Sequence, residues 1–166
     1  MVHGADAASP TCVSCTCPTQ GRAPVVCGDR CREESGAQVI VADSNLIASC
    51  VLESKATPAA LALRTRDPDW RVPRLWRYEV QNILATMIKA KRLGRKEAEA
   101  IFRGLLESLR TNEQEPDPAD VLLLVEKYGI SGYDAQFVAL AQELGTRLVT
   151  RDKELLKKLP DVATNF

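Results

Sequence analysis

From Val39 to Ala42 four apolar residues run without a break and end on Asp43, Ser44 and Asn45. An uninterrupted run of this length suits a strand buried on both faces, as in the middle of a parallel sheet. Asp43 then stands at the strand's carboxyl end. Beyond it the pattern changes to helical spacing. Leu46 to Leu52 predicts a short apolar helix in which Cys50 is a small core residue. Thr57-Pro58 supplies the N-cap and first position of a second helix, carrying Ala59, Ala60, Leu61 and Leu63. Trp70 to Val72 predicts a short strand before Pro73. Trp76, Val80, Ile83, Leu84, Met87 and Ile88 then recur at the helical period, so the longest helix is expected from about Arg74 to Lys91, broken by Gly94. A further helix from Arg95 to Leu109 sets Ala98, Ile101, Phe102, Leu105, Leu106 and Leu109 on one face, and the two helices pair as a hairpin.

The second half repeats the alternation. Thr111 to Glu115 is polar and only weakly strand-like. Asp117-Pro118 opens a helix that runs through Val121 to Tyr128 and closes on Gly129. Ser131 caps the next helix, in which Asp134, Phe137, Val138 and Ala141 share a face, and Gly145 ends it. Arg147 to Thr150 predicts another strand, and Asp152 follows it, at the start of a helix from Lys153 to Lys158. Strands alternating with helices in this way predict α/β layering.

With 166 residues and 45% hydrophobic content, one domain with a tail is expected. Residues 1–37 are dominated by Ala, Ser, Thr, Pro and Gly and hold five of the six cysteines without a helical or strand period. They read as a disordered, Cys-rich N-terminal extension before a domain at residues 38–166. Cys12, Cys15, Cys27 and Cys31 can supply four thiolates to zinc, but no zinc-ribbon or finger framework surrounds them, and this ranks below disorder. A disulfide framework ranks lower again in a reducing compartment. A third alternative is that translation starts near Val39 or Val41. No stretch reaches the roughly 20 apolar residues of a membrane span and the start has no apolar signal region, so the cytoplasm is the expected location and no membrane is involved.

Net charge is zero but unevenly spread. Arg64 to Arg110 holds 12 Lys or Arg against 6 Asp or Glu, whereas Thr111 to Phe166 holds 6 against 10. A basic segment beside an acidic one suits a phosphate-handling site, and equally a set of solvated helix faces. His3 is the single histidine, which removes Ser-His-Asp hydrolysis and any mechanism needing a pair of imidazoles. Chemistry in this chain falls to carboxylates. Four have suggestive positions: Asp43 and Asp152 end strands, while Glu79 and Asp134 sit near helix starts at the edge of the buried face. Each also has a local explanation, since Asp43 and Asp152 suit N-caps and Ser131 with Asp134 suits a capping box. Together, unpaired carboxylates repel and ask for a cation, and oxygen ligands select Mg²⁺ or Mn²⁺.

Four pieces in order, V-I-V-A-D-S-N-L-I, the pattern P-x-L-x-x-x-E-V-x-N-I-L from Pro73 to Leu84, S-G-Y-D-A-Q-F-V-A-L-A and L-V-T-R-D-K-E-L-L, resemble the PIN-domain family, and within it the VapC-like ribonuclease toxins of type II toxin–antitoxin systems. The resemblance covers Val39 to Phe166. It implies a three-layer α/β/α sandwich with a parallel sheet of four or five strands. It also implies an Mg²⁺-dependent ribonuclease, Mn²⁺ being possible, whose catalytic and metal-binding residues are Asp43, Glu79, Asp134 and Asp152. Asp43 and Asp134 would be the principal ligands, with Ser44, Asn82 and Thr150 in support. RNA as substrate, a cognate antitoxin protein and a homodimer are the implied partners. The family offers no role for the Cys-rich extension. Rival readings are a non-catalytic RNA- or protein-binding module on the same fold and a free-standing RNA-processing nuclease. A haloacid-dehalogenase-type site is excluded because Asn45 stands where a second Asp is required, and a receiver-type acidic pair is absent.

Overall fold

The uninterrupted apolar run forms the centre of a sheet. In the computed structural model, which describes residues 38–166, the elements in chain order are β1 (Ile40–Ala42), α1 (Ser44–Val51), α2 (Thr57–Arg66), β2 (Trp70–Pro73), α3 (Trp76–Lys89), α4 (Arg95–Leu109), β3 (Glu113–Gln114), α5 (Pro118–Tyr128), α6 (Gly132–Glu143), β4 (Arg147–Val149), α7 (Lys153–Lys158) and β5 (Ala163–Thr164). The extension at residues 1–37, with its cysteine alternatives, lies outside the described residues. All strands are parallel, in the order β3-β2-β1-β4-β5. Ile40, Val41 and Ala42 are buried because β1 has a strand on either side and helices above and below.

The expected three layers follow from the handedness of the crossovers. From β1 the chain steps outward to β2 and β3, and then returns across the sheet to β4 and β5. Right-handed crossovers therefore put α1 to α4 on one face and α5 to α7 on the other. Helix α6 lies across β1, β2 and β4, burying Ala135, Phe137, Val138, Leu140 and Ala141, and α5 packs outside it. On the opposite face Trp76, Val80 and Leu84 of α3 and Ala98, Leu105 and Leu109 of α4 enter the core, and Trp76 packs against Phe102 with ring centroids 5.9 Å apart.

Three details differ from the periodicity reading, each for a physical reason. Thr57 is the first helical residue of α2 rather than its cap, and its hydroxyl donates to the Leu52 carbonyl at 3.0 Å instead. Helix α3 ends before Gly94 is reached: Lys91 takes the left-handed conformation (φ 56°), its N–H bonds to Ile88 O and that of Arg92 to Met87 O. This is a Schellman closure, a place usually given to glycine. Gly94 then caps α4. Finally, β5 was not expected as a separate strand, because two residues carry no period; it exists through bonds such as Leu148 N–H to Val162 O and Thr150 N–H to Thr164 O, both 2.9 Å.

The polar stretch after α4 becomes an edge strand for a reason other than hydrophobicity. Glu113, whose side chain is only 7% exposed, accepts from Trp76 Nε1 at 2.9 Å and from Arg77 Nε and Nη2, both at 2.6 Å. One carboxylate thus ties β3 to the first turn of α3. Glu113→Ala leaves the Trp76 N–H and the Arg77 guanidinium without this partner, and is expected to cost about 2–3 kcal/mol in chemical denaturation. Lys91→Gly relieves the left-handed strain and is expected to stabilise the fold by about 0.5–1 kcal/mol in the same measurement.

Candidate active site

Strand order opens a crevice before any side chain is considered. The chain leaves β1 toward β2 and leaves β4 toward β5, in opposite directions, so the carboxyl ends of these two adjacent strands flank a topological switch point. Asp43 and Ser44 follow β1 there, and Thr150 and Asp152 follow β4. Glu79 arrives from the first turn of α3 and Asp134 from the first turn of α6. All four predicted acids line one cavity of about 230 Å³, with Ser44, Asn45, Asn82 and Ile83 between them.

The local tasks foreseen for these residues are real and do not compete with the cavity. Asp43 caps α1 through a long contact from Asn45 N–H (3.4 Å), and its other oxygen accepts from Thr150 Oγ1 at 2.7 Å. Thr150 is fully buried, and the same hydroxyl accepts the Asp152 N–H at 3.0 Å. Asp152 Oδ1 caps α7 by accepting from Glu154 and Leu155 N–H, at 2.7 and 3.1 Å. Ser131 Oγ accepts from Asp134 N–H at 3.0 Å and donates to Asp134 Oδ2 at 2.6 Å. Capping therefore orients three of the carboxylates. Asp134 Oδ1, Asp152 Oδ2 and the whole Glu79 carboxylate make no hydrogen bond among the described residues.

Burial and crowding act on the protonation of this group. Desolvation raises the Asp43 pKa above the ordinary range, against the opposing hydrogen bonds from Thr150, Asn45 and Ser44. Desolvation also raises that of Glu79, the nearby Ser44 hydroxyl pulls it back, and the charges of Asp43 and Asp134 push it further up. Ser44 Oγ is buried yet has no partner at full hydrogen-bonding geometry; its influence on Glu79 is that of a neighbouring dipole rather than a formed bond.

These residues fit a hard divalent cation. The donors are all oxygen or amide, no Lys or Arg among the described residues lines the cavity, and an orphaned hydroxyl faces the carboxylates. Among the described residues no three Asp, Glu, Cys or His side chains are grouped to hold a metal by themselves. One or two direct carboxylates with water completing the shell, as Mg²⁺ prefers, is the arrangement that matches.

Basic side chains are placed less simply than their clustering suggests. Arg66, Arg71, Arg74, Arg77, Arg95 and Arg103 are in ion pairs with nearby acids. Arg92 and Arg151 instead line a second cavity of about 520 Å³ that shares Asn45 and Ile83 with the acidic one. Sequence reasoning passed over Ile83 as ordinary core and Arg151 entirely; being next to Asp152 was the only available signal for the latter.

A family model for the PIN domain matches residues 40–161. The chain belongs to the PIN domain family, as its four motifs implied. It is similar to Ribonuclease VapC3 of Pyrobaculum aerophilum, 28% identical over 128 residues that cover 75% of this chain and 98% of that protein. Among solved structures, PAE2754 from the same organism matches with a TM-score of 0.61 at 21% identity, covering 78% of this chain and 84% of that one. VapBC2 from Rickettsia felis, bound to a DNA fragment from their promoter, matches with a TM-score of 0.51 at 14% identity, covering 78% and 99%. These two likenesses are of fold.

The raised carboxyls set a pH dependence. Because Asp43 and Glu79 hold protons more tightly folded than unfolded, the metal-free protein binds more protons than its unfolded chain above the ordinary carboxylate value of roughly 4. Their stabilising contribution is complete below that value and is lost as pH rises through the raised pKa. Thermal melts in EDTA are therefore expected to fall from mildly acidic to neutral pH. Glu79→Gln is expected to flatten this trend and to melt higher than wild type at neutral pH.

Proposed function

We propose that the protein is a metal-dependent ribonuclease, hydrolysing RNA phosphodiesters with water, and that it is the toxin of a type II toxin–antitoxin pair. The observation that carries the reading is the gathering of Asp43, Glu79, Asp134 and Asp152 around one cavity that no cationic side chain among the described residues lines. Such a cavity suits a divalent cation and repels a bare phosphate. Similarity to Ribonuclease VapC3 supports RNA as the substrate.

Asp43, oriented by Thr150, and Asp134, oriented by Ser131, are the residues that would hold Mg²⁺, or Mn²⁺ in its place. When bound, the ion supplies Lewis-acid polarisation of the scissile phosphodiester and a lowered pKa for the attacking water. Glu79, whose pKa is raised above the ordinary value by desolvation and by the charges of Asp43 and Asp134, and whose carboxylate makes no hydrogen bond among the described residues, is suited to accept a proton in this cavity. Asp152 and Asn82 present a carboxylate and an amide in the same cavity, where they would meet solvent molecules and substrate oxygens. The water oxygen forms a bond to phosphorus, the bond from phosphorus to the ribose oxygen breaks, and that oxygen takes up a proton.

The toxin part of the reading rests on the VapC-like motifs, which imply a cognate antitoxin and a homodimer. Exposed Leu122 and Leu123 on α5 and Tyr133 on α6, two helices that pack together, offer apolar surface that a second copy would cover. Among the described residues no helix is long and apolar enough to cross a membrane.

Asp43→Asn and Asp134→Asn are each expected to reduce Mg²⁺-dependent RNA cleavage by at least about a hundredfold while the protein stays folded. EDTA is expected to abolish cleavage, and Mg²⁺ or Mn²⁺ to restore it. Wild-type cleavage by either variant would sink the assignment. Expression alone and together with the adjacent reading frame, followed by growth and co-purification, tests the partner. Harmless expression of an active nuclease with no co-purifying neighbour would leave a free-standing ribonuclease.

A further inference from the structure

Next to the acidic cavity, and sharing Asn45 and Ile83 with it, lies the larger cavity of about 520 Å³, within the roughly 300–1,000 Å³ of small-molecule sites. Its character is opposite. Arg92 and Arg151 line it against a single carboxylate, Glu53, and half-buried Leu52, Ile83 and Met87 provide apolar surface. We propose that this cavity is a nucleotide subsite, in which Arg92 and Arg151 bind the RNA phosphate next to the scissile one and Leu52, Ile83 and Met87 receive the adjoining base. The proposal rests on the ribonuclease reading above.

Three observations carry it. Neither arginine is in an ion pair among the described residues, in contrast to the many that are neutralised locally. Both are exposed, Arg92 on a fixed backbone and Arg151 on an aromatic ring. The Schellman closure at Lys91 fixes Arg92 one residue beyond a strained left-handed position, with its N–H on the carbonyl of Met87, a neighbour in the same cavity. Arg151 lies over the Phe166 ring, 5.8 Å from its centroid, an arrangement that orients a guanidinium while leaving its donors open. Finally, the sign of charge reverses across Asn45 and Ile83. A polyanion threaded past the acidic pocket needs compensation within one nucleotide of it, and the neighbouring cavity provides it. Leu52, Ile83 and Met87 give the adjoining base an apolar wall beside the two arginines. An acidic protein segment could meet the same arginines, but continuity with the reacting phosphate favours RNA.

The test uses the full chain carrying Asp43→Asn, so that RNA is bound without being cut. The probe is a short end-labelled single-stranded oligoribonucleotide of mixed sequence, followed by anisotropy across a KCl series. Arg92→Ala and Arg151→Ala are each expected to weaken binding about tenfold, and each to lower the slope of log affinity against log salt by about 0.7. Met87→Ala is expected to weaken binding with the slope unchanged, because it removes base contact and no charge. Arg147→Ala, an exposed cation at the opposite, amino end of β4, sets the level for an arginine outside the subsite. Affinity and slope no more affected in both cavity variants than in Arg147→Ala would overturn the proposal. So would loss of a co-purifying protein partner with RNA binding intact, which would make the cavity a protein-docking site. Undiminished RNA cleavage by Arg92→Ala and Arg151→Ala with Asp43 restored removes the subsite and leaves the nuclease. The expected binding losses in a protein that cleaves no RNA with Mg²⁺ or Mn²⁺ support the RNA cavity and remove the nuclease.

Discussion

The carboxyl edge of the sheet depends on one hydrogen bond, from Thr150 Oγ1 to Asp43 Oδ2 at 2.7 Å. It crosses the seam between β1 and β4, two strands 107 residues apart in sequence that become neighbours only because the chain reverses its direction across the sheet. Thr150 is completely buried, so its hydroxyl must be satisfied, and it is satisfied twice: it donates to Asp43 and accepts from the backbone of Asp152. Each strand end thereby positions the acid of the other. In the low-dielectric edge of a sheet such a linked pair is stronger than the same groups in water, and more costly to break.

Helix α3 brings the remaining parts into register. Its first turn is held by the Glu113 carboxylate through Trp76 and Arg77, three and two residues ahead of Glu79. Its last turn is closed by Lys91 in the left-handed region, directly before Arg92. Between these anchors Ile83 separates the acidic cavity from the basic one. One element thus carries a carboxylate into the acidic cavity and ends beside an arginine. The local rules broken along it, a lysine at positive φ and a glutamate raised by burial and like charge, cluster around the functional edge, where natural proteins tolerate such conflict.

The capping roles of the acids deserve the same weight as their chemical ones. Asp43 and Asp152 would each be explained by the helix that follows it, and Asp134 by its bond with the cap Ser131, yet these tasks use only part of a carboxylate's capacity to accept hydrogen bonds. A cap is also the most economical way to aim a carboxylate at a sheet edge, because the helix start already lies there. Structural and functional accounts of these residues are one arrangement seen from two sides.

The apolar run at Val39–Ala42, the helical stripes of α3 and α4, and the caps at Asp117 and Ser131 state their structure locally, and period and capping chemistry were sufficient to read them from sequence. The four acids were legible as candidates because their spacing from strand ends and helix starts is a local property. Strand β3 was only weakly legible and β5 not at all, since two-residue edge ladders are held by partners distant in the chain: Glu113 by Trp76 and Arg77, Thr164 by Thr150. Nor was the reversal of charge beside the acids, because Arg92 and Arg151 come from opposite halves of the described chain and meet only in the fold. Sequence determined which groups lie at the ends of its strands and helices; strand order decided which of those ends face one another, because adjacency in a parallel sheet is set by crossovers and not by position along the chain.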